Sequence, residues 1–298
     1  MARHCRLMAS LLAIVALAAC ASRSSNERSG HAMDAAGAAT AALAADTSIP
    51  PDAAGAAARL AASTRHGEWD MIPVGDSDSV RAWVVYPERS TRAPVVIVIH
   101  EIFGMSTWIR AVTDRLAADG YIAIAPDFLT GKREPPGGPD SIGVDSAVAL
   151  IRTLDPAQIT RRIAAAARWG TALPAALPRY GIIGFCWGGS ASFSYATADP
   201  KLGASVVFYG TSPTAAELAR VRAPVLGLYG QQDARVTATI APADSVMRAL
   251  RRTYEHVIFP GAGHGFLRAQ DAHAGANRAA AAQAWPKAVA WFRRYLGT

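Results

Sequence analysis

Gly184-Phe185-Cys186-Trp187-Gly188-Gly189 follows directly on Gly181-Ile182-Ile183 and runs into Ser190. The isoleucines read as a buried strand, and Gly-x-Cys-x-Gly as the sharp turn that hands such a strand to a helix. Glycines are needed on either side of Cys186 because side chains would clash in so tight a turn. The turn holds the cysteine above the sheet, facing a helix N-terminus whose partial positive charge favours a thiolate. A buried structural cysteine is the competing reading. The strand before it and the Gly-Ser helix start behind it favour a nucleophile.

Outward from this turn the chain alternates strand and helix. Val95–Ile99, Tyr121–Ala125 stopped by Pro126, Ala204–Tyr209, Val225–Tyr229 and His256–Phe259 before Pro260 are apolar, β-branched runs of strand length. Trp83–Tyr86 reads as an edge strand in an antiparallel hairpin. Helical segments are expected over Thr107–Asp119, Pro156–Trp169, Ser190–Ala198, Ala241–Arg252 and Ala276–Tyr295. This alternation implies right-handed crossovers and a mainly parallel, twisted sheet with helices on both faces, which is an α/β fold. Such sheets bind ligands at the carboxyl ends of their strands.

Two of those ends carry chemistry. Gly230-Gln231-Gln232-Asp233 places an acid just past one strand, which is either a histidine-orienting carboxylate or a turn aspartate. Gly261-Ala262-Gly263-His264-Gly265-Phe266 places a glycine-flanked histidine past the last, poor packing material but apt as a general base. The order Cys186, Asp233, His264 is the nucleophile, acid, base order of α/β-hydrolases. His100 and His273 remain as minor candidates.

With Glu101-Ile102-Phe103-Gly104 after the first central strand and Ala125-Pro126-Asp127 after the next, the set resembles the dienelactone hydrolase family over roughly residues 68–298. The resemblance implies the α/β-hydrolase fold, no cofactor, and hydrolysis of an ester or lactone through an acyl-cysteine. It assigns Cys186 as nucleophile, His264 as base, Asp233 as its orienting acid, and Glu101 as a carboxylate that hydrogen-bonds the resting thiol. It places the oxyanion hole at the backbone N–H groups of Ile102 and Trp187, with Phe103 and Trp187 lining the pocket. A family arginine that holds a substrate carboxylate lies four residues past the histidine, where this chain has Arg268. A second follows the Pro-Asp segment, and here the sequence departs from the family. Lys132 and Arg133 stand one or two residues late, and an ammonium does not replace a bidentate fork. Glu134–Pro139 reads as a reshaped pocket rim. Arg268 either reaches a substrate anion or pairs with a nearby acid such as Asp271.

The N-terminus reads as an address. Arg3 and Arg6 precede an apolar run from Leu7 to Ala18, and Leu17-Ala18-Ala19-Cys20 resembles the lipobox of bacterial lipoproteins. The expected organisation is a signal peptide over 1–19, a lipidated Cys20 and an Ala/Ser-rich tether over 20–65, and a catalytic domain over 66–298. The expected location is export and lipid anchoring to a cell membrane, an outer membrane where the host has one. An ordinary signal peptide cut near Ala19 is the alternative. Of the cysteines, Cys5, Cys20 and Cys186, only the last remains a free thiol, and no spacing among them suits zinc.

Composition narrows the function classes. At 298 residues and 51% hydrophobic, the chain can bury a full core. The net charge of +7 is spread over scattered arginines, which excludes a nucleic-acid footprint. The expected partners are a small ester or lactone and a membrane. Competing readings are a broader carboxylesterase or thioesterase, and a non-catalytic lipoprotein that kept the fold. A thiol redox protein would need a resolving cysteine.

Overall fold

The computed structural model describes residues 46–75, 77–132 and 143–297. The signal peptide, Cys20, most of the tether, Arg133 and the Glu134–Pro139 rim lie outside the described residues. The compact unit that carries the fold starts at Thr47.

Its centre is an eight-stranded sheet in the order β1-β2-β4-β3-β5-β6-β7-β8. The strands are β1 (Gly67–Pro73), β2 (Ser79–Val85), β3 (Ala93–Ile99), β4 (Ile122–Pro126), β5 (Ala176–Phe185), β6 (Ala204–Phe208), β7 (Val225–Gly230) and β8 (Tyr254–Phe259). β1 pairs antiparallel with β2, and β2 antiparallel with β4; from β4 through β3 to β8 every pairing is parallel. All seven residues of β3 and all five of β4 and β6 are buried, as strands covered on both faces must be. Each fully buried Val or Ile contributes roughly 1.5–3 kcal/mol.

The helices are α1 (Ala56–Ala61), α2 (Thr107–Ala118), α3 (Val144–Ile151), α4 (Pro156–Ala172), α5 (Trp187–Tyr195), α6 (Ala215–Leu218), α7 (Ala234–Thr237), α8 (Ile240–Ala249) and α9 (Ala276–Leu296). They form two apolar layers. One gathers around Ile97, Ile182, Phe193, Val207 and Tyr229. The other gathers around Val98, Trp108, Phe185, Phe208 and Trp285. The starts of α2 and α4 are set by side-chain caps: Ser106 Oγ accepts from Ile109 N at 3.3 Å, and Asp155 opens α4 with Pro156 in its first turn.

One boundary moves. The sequence reading gave residues up to 65 to the tether, yet the chain packs on the body from Thr47. Trp108 Nε1 donates to Pro51 O (2.9 Å), Gln270 Nε2 to Pro50 O (3.0 Å), and Ala53 N to Arg268 O (2.9 Å). Ile49 and Ala56 are buried in the second layer. This strap needs almost no apolar content of its own. It supplies a backbone acceptor to the buried Trp108 indole and a second one to Gln270 Nε2, which also donates to Leu267 O (3.1 Å).

Candidate active site

The turn after β5 is as sharp as its glycines require. Cys186 has φ 57° and ψ −117°, a conformation costing an L residue roughly 1–3 kcal/mol. A Cβ on Gly184 would sit 1.9 Å from Gly188 O, and one on Gly188 2.3 Å from His100 O. The helix expected from Ser190 begins directly after the cysteine, at Trp187, so Cys186 occupies its N-cap position. Cys186 N donates to Phe208 O (3.1 Å), tying the exit of β5 to that of β6.

Asp233 and His264, from the ends of β7 and β8, meet. His264 Nδ1 lies 2.5 Å from Asp233 Oδ2. An ionised carboxylate only accepts, so Nδ1 carries the proton and Nε2 is left as the basic atom. Asp233 is buried while His264 is exposed. The loop bearing His264 is stapled at both ends by one buried side chain: Gly263 N donates to Asn277 Oδ1 and Asn277 Nδ2 to Ala269 O, each at 2.8 Å.

After β3, Glu101 to Gly104 forms a tight turn with Gly104 at φ 74°. Glu101 is 2% exposed. Arg268 Nε lies 3.0 Å from Glu101 Oε2, with the guanidinium 4.8 Å over the Phe103 ring. Asp271 pairs instead with Arg278. The Glu101–Arg268 contact is close but misaligned, and neither atom makes a hydrogen bond. Arg268 therefore only partly offsets the desolvation of the carboxyl, and burial pushes Glu101 up to about 8.

The thiol is governed by opposing influences. Burial raises the Cys186 pKa, and the Glu101 charge raises it further. The backbone N–H groups of Trp187 and Ile102 bond the sulfur and pull it back down, as does the charge of Arg235. The net direction is up, so the resting group is a thiol. The helix N-terminus alone, which the sequence reading took to favour a thiolate, is outweighed.

Trp187 is half-buried, stacked on His100 at 5.6 Å and edge-on to Phe128 at 5.9 Å. His100 holds the loop rather than the chemistry: Nδ1 donates to Glu101 O (2.8 Å), and Nε2 accepts from Phe128 N (3.2 Å). His273 is exposed, its ring packed against Gly263. Asp127 shapes a turn, its Oδ1 accepting from Leu129 N (3.1 Å), and Lys132 is exposed just beyond.

Sequence reasoning missed Arg235, Asn277 and Tyr209. Arg235 lies in α7 two residues past Asp233, a spacing that carries no motif. Asn277 is a single amide inside an alanine-rich helix. Tyr209 closes an apolar run and reads as core; it is buried with φ 42°, its ring edge-on to His264 at 5.2 Å.

A mainly parallel sheet with a strand-to-helix elbow, an acid and a histidine behind successive strands defines an α/β-hydrolase. The chain belongs to the dienelactone hydrolase family, whose model matches residues 80–296, and it is a hydrolase. It is 33% identical over 269 residues to a "Putative carboxymethylenebutenolidase" of Salmonella typhimurium, covering 84% of this chain and 98% of that one. A protein of the same description from Escherichia coli strain K12 is 32% identical over 232 residues, 74% of this chain and 84% of its own. The crystal structure of a "Putative Dienelactone Hydrolase" from Klebsiella pneumoniae superposes with a TM-score of 0.69 at 30% identity, covering 78% of this chain and all of that one.

Proposed function

We propose that the protein hydrolyses small esters or lactones with Cys186 as nucleophile. The Cys186 sulfur attacks the carbonyl carbon, and the developing oxyanion accepts from the N–H groups of Trp187 and Ile102. The leaving oxygen departs with the proton that Cys186 gave up, leaving an acyl-cysteine. His264 then takes a proton from water, which attacks the thioester carbonyl and releases the acid and the thiolate. Asp233 fixes the imidazole tautomer throughout. The observation that carries this reading is the strained Cys186, held at positive φ at the N-cap of α5 directly before Trp187.

The buried Glu101 gives the thiol proton a destination. Once Glu101 has ionised, which burial holds off to about 8, an anionic substrate draws Arg268 toward itself, Glu101 loses its counter-charge, and the carboxylate takes the proton from sulfur. Arg235, exposed near the same thiol, adds a second cation, which favours substrates carrying a carboxylate. A broader carboxylesterase or thioesterase with the same residues is separated by a panel of anionic lactones and neutral aryl esters. The decisive test of enzyme against binder is p-nitrophenyl acetate turnover with and without a thiol alkylator. Turnover abolished by alkylation is expected, and turnover that persists after complete alkylation of Cys186 overturns the thiol mechanism.

The location belongs to the same proposal: a lipid on Cys20 anchors the protein to the membrane after export. Labelled palmitate is expected in the wild type and not in Cys20→Ala. Equal incorporation in both overturns the anchor.

A further inference from the structure

α9 opens with Ala276-Asn277-Arg278 and then runs through Ala279 to Ala282. Asparagine is a weaker helix former than the alanines around it, and here its amide bonds outside the helix. Asn277 is fully buried. His273, Ala274 and Gly275 turn the chain into α9 at positive φ, a conformation that the first two adopt at a cost. The turn lays the His273 ring on Gly263, where a Cβ would collide with it. Glycine at 263 therefore lets the start of α9 come up against the loop that bears His264.

The two bonds of the Asn277 amide fall just outside the reacting segment. Gly263 is the residue before His264, and Ala269 the residue after Arg268. Gly263 N can only donate and Ala269 O can only accept, so Oδ1 faces the first and Nδ2 the second, both at 2.8 Å. Between these ends, Phe266 and Leu267 are buried and hold the middle of the loop by packing. Apolar packing has no direction, whereas hydrogen bonds do. The upstream end is tied as well to the loop that bears Asp233: Gly261 N donates to Gln231 Oε1 (3.0 Å) and Gln232 N to Ala262 O (2.8 Å). Downstream, Arg268 N and Ala269 N close a turn onto Gly265 O at 2.9 and 3.0 Å. One planar amide spans both ends of the segment that carries the histidine and the arginine.

We propose that Asn277 is a positioning residue that sets His264 and Arg268 in one frame, so that base and cation meet the scissile carbonyl and the carboxylate of the same substrate in register. The inference rests on the roles given above to those two residues. Asn277 touches no reacting atom and acts only through the backbone on either side of them. It also narrows the substrate class: a frame fixed at both ends favours one separation between the carboxylate and the scissile carbonyl.

The test compares Asn277→Ala with the wild type on p-nitrophenyl acetate and on mono-p-nitrophenyl succinate, which has the same leaving group and adds a carboxylate. It is run far below the Tm of either protein, with circular dichroism to count folded molecules. Misplacing the base is expected to lower kcat for the neutral ester about 10- to 100-fold with little change in KM. Misplacing the arginine is expected to lower the succinate-to-acetate ratio of kcat/KM about tenfold further. Asn277→Asp restores an acceptor for Gly263 N and is expected to bring kcat for the neutral ester back to within about threefold of wild type. Where Asn277→Ala does not fold, Asn277→Ser replaces it, its hydroxyl standing on a shorter stem than the amide. A merely structural asparagine would leave kcat per folded molecule unchanged, and that result overturns the proposal. A fall in kcat with an unmoved ratio overturns the common frame, and a folded Asn277→Asp that stays slow overturns the part given to the Gly263 bond. His264→Ala keeps the underlying reading apart: if it is active, the role of His264 fails, whereas an inactive His264→Ala beside a fully active Asn277→Ala sinks only the role of Asn277.

Discussion

The turns that leave β5 and β6 are neighbours, joined by the hydrogen bond from Cys186 N to Phe208 O, and each bends through a non-glycine residue at positive φ. Only one announces itself. Around Cys186 the strain is written into the sequence, because Gly184 and Gly188 are spaces that a side chain cannot enter. Around Tyr209 the residues that enforce the bend come from elsewhere: Leu228 from β7, His264 and Phe266 from the loop after β8. A turn enforced locally leaves a motif; a turn enforced by tertiary neighbours leaves an ordinary Phe-Tyr-Gly. The first presents the sulfur proposed as nucleophile; the second sets an aromatic ring edge-on to His264.

That contrast sets the order of expected effects. Cys186→Ala is the largest: ester hydrolysis falls by roughly a thousandfold or more while the fold survives, since one sulfur is removed from a turn shaped by its glycines. Steady-state kinetics with circular dichroism as the folding control checks it. Near-wild-type turnover would leave the β5 turn as strained structure and nothing more.

Arg268→Ala is next. The substitution removes the partner of a substrate anion and the counter-charge of Glu101 together. kcat/KM for an anionic lactone is expected to fall about 10- to 150-fold, the worth of a bidentate charged contact. A neutral aryl ester has no anion to lose and responds less. Equal losses for the two substrates would confine Arg268 to its Glu101 contact.

A chain beginning at Thr64 tests the strap. It strips the acceptor from Trp108 Nε1, one of the two acceptors from Gln270 Nε2, and the donor from the Arg268 carbonyl. The cost of unpaired buried donors, roughly 1–3 kcal/mol each, corresponds to a fall in Tm of about 2–10 °C for a domain of this size. Thermal unfolding measures it, and an unchanged Tm would make the strap dispensable.

Glu101→Gln has an effect on stability whose sign is fixed by linkage. In the folded protein Glu101 holds its proton up to about 8, against 4.5 for an ordinary carboxyl. The folded state therefore binds more protons between those values, and wild-type stability falls as pH rises from about 4.5 to about 8. The amide does not titrate, so the Tm of Glu101→Gln loses that part of the slope. Identical Tm profiles would mean that Arg268 keeps the carboxylate ionised throughout.

The parallel sheet was legible because its strands are continuous β-branched runs, buried on both faces and punctuated by Pro126 and Pro260. Cys186, Asp233 and His264 were legible because each follows a strand in an order that chemistry makes recognisable. The strap was not, because Pro50 and Pro51 act through their carbonyls, which no side-chain pattern reports. β1 was implied only as a hairpin partner, its residues being half-buried at an edge. The Glu101–Arg268 contact joins residues far apart in sequence, and neither alone signals the other.

The most direct measurement is a rapid acid quench of wild-type protein during turnover of p-nitrophenyl acetate, followed by mass mapping of the acyl group. The account predicts an acetyl thioester on Cys186 that forms with the first release of nitrophenol and decays on chasing. Acetyl on another residue such as Ser190, or steady turnover with Cys186 never modified, would contradict it.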